Sequence, residues 1–196
     1  AFELFEHTGS DRAIAEEFIS RRFAQSFGAR VEAFMPRLFT VRNQDGFICG
    51  AFGLRSATHK LFVEHYINRP MEEVIAMRTG ETILRHRLVE VGHLSGAFPS
   101  AMRATIRLLT ECVHREGAAW IAFTGTSSVR NCFRRMGLSP IAIQVAAIEN
   151  IPTDARAVWG NYHDHSPWVF VGSVEEGYRA LIRDASRTAR KIERIA

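Results

Sequence analysis

The segment Trp120–Leu138 constrains the fold of this chain more than any other. It reads WIAFTGTSSVRNCFRRMGL and opens with an apolar run over Trp120–Phe123, which is typical of a buried strand. Small residues over Thr124–Ser128 predict a turn. The short helix that follows ends at Gly137, a residue that favours the left-handed conformation common at helix ends. A strand, a turn and a helix in this order predict an α/β domain in which helices cover a sheet.

Length and composition indicate one globular domain over residues 1–196. The chain has 196 residues, of which 46% are apolar and 23% are charged, so it can bury one large core. The net charge is +4 and arginine far outnumbers lysine, which favours planar contacts with phosphate or carboxylate groups. Because the arginines are scattered and lack an aromatic strand platform, we expect no nucleic-acid binding.

Three sequence features bear on the cellular compartment and on metals. Cys49, Cys112 and Cys132 are odd in number and far apart, which indicates reduced thiols and no disulfide framework. The acidic N-terminal segment does not resemble a signal peptide, and no apolar run approaches the roughly 20 residues of a membrane span. The cluster His163–His165 lacks a third ligand, so no metal site is predicted. We therefore expect a cytoplasmic protein.

Hydrophobic periodicity predicts helices and strands that alternate along the chain. The predicted helices are 11–27, 71–78, 101–116 and 174–195, and the predicted strands are 34–41, 47–54, 61–66, 88–94, 120–123, 141–148 and 168–171. This alternation predicts a mixed α/β sheet with helices on both faces. The last helix has a basic end, and we expect it to pack on the domain or on a partner chain. The basic residues are Arg187, Arg190, Lys191 and Arg194.

Several short segments, in order along the chain, resemble the thermostable hemolysin family. They are Phe34–Pro36, Gly53–Ala57, Leu61–Tyr66, Val89–Leu94, Phe123–Thr126, Arg130–Phe133 and Trp159–Tyr162. The resemblance implies the fold of the GNAT N-acyltransferases, a mixed sheet whose two central parallel strands splay apart near Val91 and Phe123. The family also resembles acyl-homoserine-lactone synthases, which join an acyl thioester to an amine.

The resemblance implies an acyltransferase that moves an acyl group from an acyl carrier protein or coenzyme A thioester to a small amine in specialised metabolism. The implied co-substrate is acyl-phosphopantetheine or acyl-coenzyme A, and no tightly bound cofactor is expected. Two other functions stay open, a membrane-active hemolysin-type protein and a non-catalytic thioester-binding protein. Several alanines in the stripe of the last helix favour packing over membrane insertion. A homodimer is also left open.

Acyl transfer to an amine needs a group that removes a proton and a donor for the developing oxyanion. Glu90 lies within an apolar run, where burial would raise the pKa of its carboxyl group, and we interpret it as the general base. His93 reaches the same cleft only if a bulge interrupts the strand. Phe133 stands where many GNAT enzymes have an acidic tyrosine, and Tyr162 could replace that acid. The alternatives are an ion-paired glutamate, a structural histidine and a packed tyrosine.

The loop SGAFPSAMRA matches the GNAT phosphate loop in position. It has one glycine, a bulky Phe98 and Pro99, so it would cradle a pyrophosphate poorly. The start of the next helix, with Ser100 as its cap, could still hold the single phosphate of a carrier-bound phosphopantetheine, which favours an acyl carrier protein as donor. The residues expected to contact the donor are Leu94, Ser95, Gly96, Ser100, Arg103, Arg107, Thr124, Thr126, Asn131 and Phe133.

Three polar residues lie on the acceptor side of such a fold. Arg55, Glu64 and His65 follow predicted strands and would contact a polar amine or a carboxylate. Ion pairs at the surface are the alternative for these side chains. The sequence therefore predicts a thioester cleft with Glu90 near its centre and an acceptor subsite beside it.

Overall fold

The computed structural model describes residues 1–193, with side chains up to residue 184, and contains a seven-stranded sheet. The strands are β1 (Phe2–His7), β2 (Arg37–Asn43), β3 (Ile48–Ser56), β4 (Leu88–Gly96), β5 (Trp120–Gly125), β6 (Ile141–Val145) and β7 (Trp168–Ser173). The α-helices are α1 (Arg12–Phe27), α2 (Glu64–Ile67), α3 (Met71–Thr79), α4 (Pro99–Arg115), α5 (Ser127–Arg135), α6 (Thr153–Arg156) and α7 (Val174–Glu193). Short 3-10 turns occupy Gly9–Asp11, Arg85–Arg87, Ile148–Asn150, Ala157–Trp159 and Tyr162–His165.

The sheet has the strand order β1-β2-β3-β4-β5-β7-β6. The central strands β4 and β5 are parallel, and the other neighbouring strands are antiparallel. The connection between β4 and β5 runs through α4, which is the crossover that a parallel pair requires. The structure thus confirms a mixed α/β sheet of the GNAT type.

The two parallel strands separate halfway along β4. Their register runs from Leu88 opposite Trp120 to Val91 opposite Phe123 and then stops, although both strands continue. Beyond this point β4 pairs with β3 alone, and β5 pairs with β7 alone. The predicted splay of the central strands is therefore confirmed at the predicted residues.

Side-chain alternation places a helix on each face of the sheet. Leu38 and Ala51 pack with Phe18 of α1, whereas the adjacent Phe39 and Phe52 pack in a separate cluster with Ile106 and Leu109 of α4. Since consecutive strand residues point to opposite faces, α1 and α4 cover opposite sides. This arrangement confirms the expectation of helices on both faces.

The described part of α7 packs against α4. Val174 and Leu181 are buried in the same core cluster as α4, and the ring of Tyr178 stacks on His114 at 3.8 Å. The basic end predicted for this helix lies outside the described side chains. No helix within the described residues is both long and apolar enough to cross a bilayer.

Four details of the sequence-based prediction are wrong. The segment 61–66 is not a strand, because its backbone N–H groups donate to buried carboxylates and the chain turns into α2. Ser100 does not cap α4, since Phe98 occupies the cap position and makes no side-chain bond there. The edge strand β1 was not predicted, and Ser95 and Gly96, predicted to lie in a loop, belong to β4.

Candidate active site

A cavity of about 310 Å³ opens where β4 and β5 separate. Its volume lies in the range typical of small-molecule sites. Most of its wall is aromatic or aliphatic, and polar groups are few. The aromatic residues are Phe23, Phe27, Phe34, Phe62, Phe123, Trp159 and Tyr162. An apolar chamber with a few polar groups suits an acyl chain bound close to its reacting end.

Glu90 lines this cavity and is 1% exposed. Its carboxylate accepts hydrogen bonds from the backbone N–H groups of Val63 at 2.8 Å and Phe62 at 3.0 Å, and Nη1 of Arg55 lies 3.4 Å from Oε2. Burial raises the pKa of Glu90, while the two backbone donors and Arg55 oppose the rise. A carboxylate with a raised pKa in a cavity is suited to accept a proton.

Arg55 lies directly across the sheet from Glu90, on β3, and also lines the cavity. Its side chain is 25% exposed. Among the described residues its ion-pair partner is Glu90, through a single long contact. The guanidinium group therefore keeps donors that can reach a ligand in the cavity.

Glu64 and His65, predicted as acceptor ligands, do not line the cavity. The Glu64 carboxylate is buried and accepts from Nη1 and Nη2 of Arg85 at 2.7 and 3.1 Å, and from the N–H groups of Leu61 and Met71. These bonds lower the pKa of Glu64 against the opposing effect of burial. Its oxygens are thus engaged in holding α2 and α3, and the structure does not bring Glu64 to the cavity. His65 packs on Phe62, with ring centroids 5.5 Å apart.

A bulge in β4 brings His93 to the cavity. Ala51 pairs with Ser95 and Gly53 pairs with Gly92, so two residues of β4 face one residue of β3. His93 is one of those two and has a φ angle of 54°, which a non-glycine residue seldom adopts. The bulge is the condition under which His93 was predicted to share the cleft with Glu90, and both residues line it.

The position of the His93 proton follows from its hydrogen bond. The backbone N–H of Met35 donates to Nε2 at 3.1 Å, so Nε2 is unprotonated and the proton of the neutral ring is on Nδ1. Burial, assisted by the charges of Arg55 and Arg12, lowers the pKa of His93 to about 4. Nδ1 is not among the buried unpartnered atoms of the described side chains, so it reaches open space. His93 is therefore a neutral donor at the cavity wall and a poor base.

Tyr162 lies at the β5 side of the cavity with Thr124 and Thr126. Its hydroxyl donates to Oγ1 of Thr124 at 3.2 Å, and its ring meets Phe27 edge-on at 5.0 Å. Burial raises the pKa of Tyr162, which makes its hydroxyl a weak acid. Thr126 precedes α5 as its N-cap residue but makes no side-chain capping bond.

The end of β4 carries polar groups that fit a thioester arm. Past Val91 the edge of β4 that faces β5 has no strand partner, so this edge is available to pair with ligand amides. Ser95 is buried and its hydroxyl has no partner among the described residues. On Gly96 a side chain would collide with Met102 of α4, at 2.7 Å from its backbone.

The remaining predicted donor ligands lie on α4 and α5, outside the cavity wall. Ser100, Arg103 and Arg107 are exposed along the first part of α4, and Arg107 forms an ion pair with Glu111 at 2.9 Å. Asn131 is half-buried on α5. Phe133, also predicted to contact the donor, is buried and packs on the ring of Phe123, with ring centroids 5.1 Å apart.

Two residues of the site were not predicted. Arg22 of α1 donates to the backbone oxygen of Gly96 at 3.0 Å and so ties the end of β4 to the first helix. Met35 supplies the N–H that orients His93, and its side chain fills the space above Gly53 and Gly92. Arg22 lies within the predicted helix 11–27, next to Phe23 of its apolar face. This position was the one sequence feature that could have indicated a role for Arg22. Backbone groups such as Met35 N–H give no signal in a sequence.

Comparison with known proteins agrees with this geometry. The family model described as thermostable hemolysin matches residues 5–178, which is most of the chain. No curated protein matches the chain in sequence. Solved structures match over nearly the whole chain at low identity, so they establish the fold alone.

Three of these structures are acyl-transfer proteins by description. FeeM, an N-acyl amino acid synthase from uncultured soil microbes, has a TM-score of 0.60 and 11% identity, covering 90% of this chain and 93% of its own. MesI, a CoA-dependent acyl-homoserine lactone synthase, has a TM-score of 0.56 and 16% identity, covering 92% and 94%. A GCN5-related N-acetyltransferase from Kribbella flavida has a TM-score of 0.53 and 12% identity, covering 88% and 98%.

Proposed function

The chain belongs to the thermostable hemolysin family, and on that premise we propose that it is an N-acyltransferase that joins an acyl group from a thioester to a small amine. The observation that carries the proposal is the gap past Val91 and Phe123, in which a buried carboxylate and a neutral imidazole donor line one apolar cavity. The GNAT-like fold supports the reaction class, because its structural neighbours include proteins described as acyltransferases.

Glu90 acts as the general base in this proposal. Its carboxylate has about four acceptor positions, and three donors reach it, so one position is left for an amine or for a bridging water. Because burial raises its pKa, it takes a proton at neutral pH more readily than an exposed glutamate. A carboxylate in this role loses its charge as the amine becomes nucleophilic.

His93 stabilises the oxyanion that forms on the thioester carbonyl. Its Nδ1–H is a fixed neutral donor, because the Met35 N–H occupies Nε2. The left-handed backbone of the bulge keeps the ring at the cavity wall. The leaving thiolate needs no strong acid, since a thiol has a pKa of about 8.5. Tyr162 then positions Thr124 and closes the apolar wall, and protonates the thiolate only as a secondary role.

The donor arm lies along the open edge of β4 in the proposed complex. Its amides pair with the backbone of Gly92 and Leu94, and its thioester reaches the cavity between the strands. The phosphate meets the start of α4 near Ser100 and Arg103, which would place a positive charge and free N–H groups beside it. Pro99 removes one of those N–H groups, which favours the single phosphate of an acyl carrier protein over the pyrophosphate of coenzyme A.

The compartment and assembly follow from the same proposal. We place the enzyme in the cytoplasm, where acyl carrier proteins and coenzyme A thioesters are made, and propose that α7 packs on its own domain through α4. A membrane-active function finds less support, because the side chains of Val174 and Leu181 are buried in the core and are not free to enter a bilayer.

Product analysis by mass spectrometry tests the proposal. The purified full chain is mixed with acyl carrier protein or coenzyme A thioesters of several chain lengths and with a pool of small amines. We expect an amide product and a free thiol in equal amounts, and at least about 100-fold slower product formation with Glu90→Gln. Turnover that is unchanged in Glu90→Gln would remove Glu90 from the mechanism. Thioester binding without any product would favour the non-catalytic alternative.

A further inference from the structure

The carboxylates and guanidinium groups that line the cavity form two pairs. Arg30 and Glu32 sit at its rim, where they pair with each other at 2.7 Å and are 76% and 56% exposed. Arg55 and Glu90 lie inside, on facing positions of β3 and β4. The wall of the apolar chamber therefore carries a partly exposed positive group and a buried negative group side by side.

The contact between these two groups is too loose to satisfy them both. A single Nη1–Oε2 distance of 3.4 Å joins them, whereas Arg85 holds Glu64 through two nitrogens at 2.7 and 3.1 Å. A guanidinium group has five N–H donors and prefers two parallel bonds to one carboxylate. None of the Arg55 nitrogens is among the buried unpartnered atoms of the described side chains, so the remaining donors face open space.

We propose that the acceptor is an α-amino acid whose carboxylate binds Arg55 and whose amino group meets Glu90. The inference rests on the acyl transfer proposed above and names its substrate class. A zwitterion presents a negative and a positive group two bonds apart, which is complementary to an arginine and a glutamate on neighbouring strands. The aromatic walls favour an amino acid with an apolar side chain.

The carboxylate of the amino acid also keeps Arg55 paired during the reaction. The ammonium group gives one proton to Glu90, and the amine forms the C–N bond as the C–S bond breaks. The second proton passes to the departing thiolate, directly or through water, and Glu90 later returns its proton to solvent. While Glu90 is neutral, Arg55 loses its ion-pair partner, which is unfavourable for a guanidinium group that is three-quarters shielded from water. A substrate carboxylate removes that cost, whereas a simple amine does not.

Isothermal titration calorimetry with the full chain tests whether an α-amino acid is the acceptor, and it needs no thioester. The matched ligands are L-phenylalanine, phenethylamine and 3-phenylpropanoate, followed by the other α-amino acids. Arg55→Gln is compared with wild type and with Arg30→Gln, a control at the rim of the same cavity. We expect the amino acid to bind at least about tenfold more tightly than the amine, and Arg55→Gln to weaken the amino acid by about 10- to 100-fold. Arg30→Gln should bind the amino acid as tightly as wild type does. Arg55→Gln should leave the affinity for the amine unchanged.

Other outcomes overturn the inference. Equal binding of amine and amino acid, equal losses for both in Arg55→Gln, or no binding of any α-amino acid would do so. Tighter binding of 3-phenylpropanoate than of L-phenylalanine would assign the carboxylate to the acyl group and not to the acceptor. Arg55→Lys, with folding checked by circular dichroism, keeps the charge and should retain part of the preference if Arg55→Gln proves unstable. Carboxylate-dependent binding with no acyl transfer would sink the proposed function alone, and turnover of amines only would sink this inference alone.

Discussion

Glu64 and Glu90 are two buried carboxylates that have the same kinds of hydrogen-bond partner but opposite shifts in pKa. Each accepts two backbone N–H groups. Those that bond to Glu64 come from Leu61, before α2, and Met71, the first residue of α3, and those that bond to Glu90 come from Phe62 and Val63. Each also faces an arginine. The pKa of Glu64 is lowered, while the pKa of Glu90 is raised. The environment of Glu64 therefore favours the charged carboxylate, whereas that of Glu90 favours the protonated acid.

The difference lies in the arginine and in the space around it. Arg85 binds Glu64 with two nitrogens and also pairs with Glu72, so that region is a closed network that braces α2 and α3. Arg55 approaches Glu90 through one long contact beside an open cavity. A tightly paired buried carboxylate holds structure, and a loosely paired one beside a cavity is available for chemistry.

The largest effect should appear in turnover. Glu90→Gln should lower the rate of acyl transfer by about 10²- to 10⁴-fold, the usual contribution of a general base. Glu64→Gln is the matched control and should keep most of the activity at temperatures where it is folded. The rate of thiol release measures acyl transfer in both variants, and circular dichroism checks that both are folded. Similar losses in both variants would break the distinction between the two carboxylates.

For the loss of folding stability, we expect Glu64→Gln to have the larger effect and Glu90→Gln the smaller one. Glu64→Gln should lower the free energy of unfolding by about 3 kcal/mol, because Arg85 and two backbone donors lose a charged acceptor. Glu90→Gln should cost about 1 kcal/mol, because burial already disfavours the charge of Glu90. Urea unfolding at neutral pH measures both values, and a larger loss in Glu90→Gln would contradict the assignment.

The pH dependence of these two variants should differ in sign. The Glu64 carboxylate stabilises the fold above the ordinary carboxyl pKa, and this contribution disappears as the pH falls through its lowered folded-state pKa. The charge of Glu90 costs stability above its raised folded-state pKa, and the cost is relieved as the pH falls through that value. Unfolding curves from pH 7 to 2 should show the Glu64→Gln difference shrinking below the ordinary carboxyl pKa, and wild type gaining on Glu90→Gln as the pH falls. Parallel curves would contradict the contrast.

His93 gives a further pH effect from the cavity region. Its pKa is about 4 in the fold and about 6.5 when unfolded, so the unfolded chain alone binds a proton between these values. Wild type should lose up to about 3 kcal/mol of stability as the pH falls from 6.5 to 4. His93→Asn should lack this loss and, as a neutral donor that tolerates the left-handed backbone, should keep much of the activity. An acid response identical to that of wild type would show that His93 is not held neutral.

The smallest expected effect is the difference in stability between lysine variants of Arg85 and Arg55. Arg85→Lys should cost about 1 kcal/mol of stability, because lysine cannot reproduce two parallel bonds to Glu64. Arg55→Lys should cost about 0.5 kcal/mol or less, since one long contact is lost. Thermal unfolding of the two variants, measured side by side, tests the order.

Much of the architecture could be predicted from hydrophobic periodicity and from the family resemblance. The splay at Val91 and Phe123 and the bulge near His93 were implied by the family resemblance, whereas most element positions follow from apolar runs and turn residues along the chain. The strand β1 was missed because Glu3 and Glu6 are three residues apart and interrupt the alternation that marks a strand, and because it pairs with β2 alone. Its stability comes from that distant partner and not from its own composition.

The site was harder to predict than the fold. The run LFVEHY has the composition of a strand, but the N–H groups of Phe62 and Val63 bond to Glu90, nearly thirty positions away. Glu64 and Glu90 look alike in sequence, since each stands among apolar neighbours. Only their partners Arg85 and Arg55 separate them, and long-range pairing of this kind cannot be read from spacing.

The most direct test of the account is a crystal structure of Glu90→Gln with a non-hydrolysable acyl-pantetheine analogue. We expect the arm to pair with the free edge of β4 at Gly92 and Leu94, the carbonyl oxygen to lie within hydrogen-bond distance of Nδ1 of His93, and the acyl chain to enter the aromatic chamber. An analogue bound elsewhere on the surface, with β4 and β5 closed against each other past Val91 and Phe123, would contradict the account.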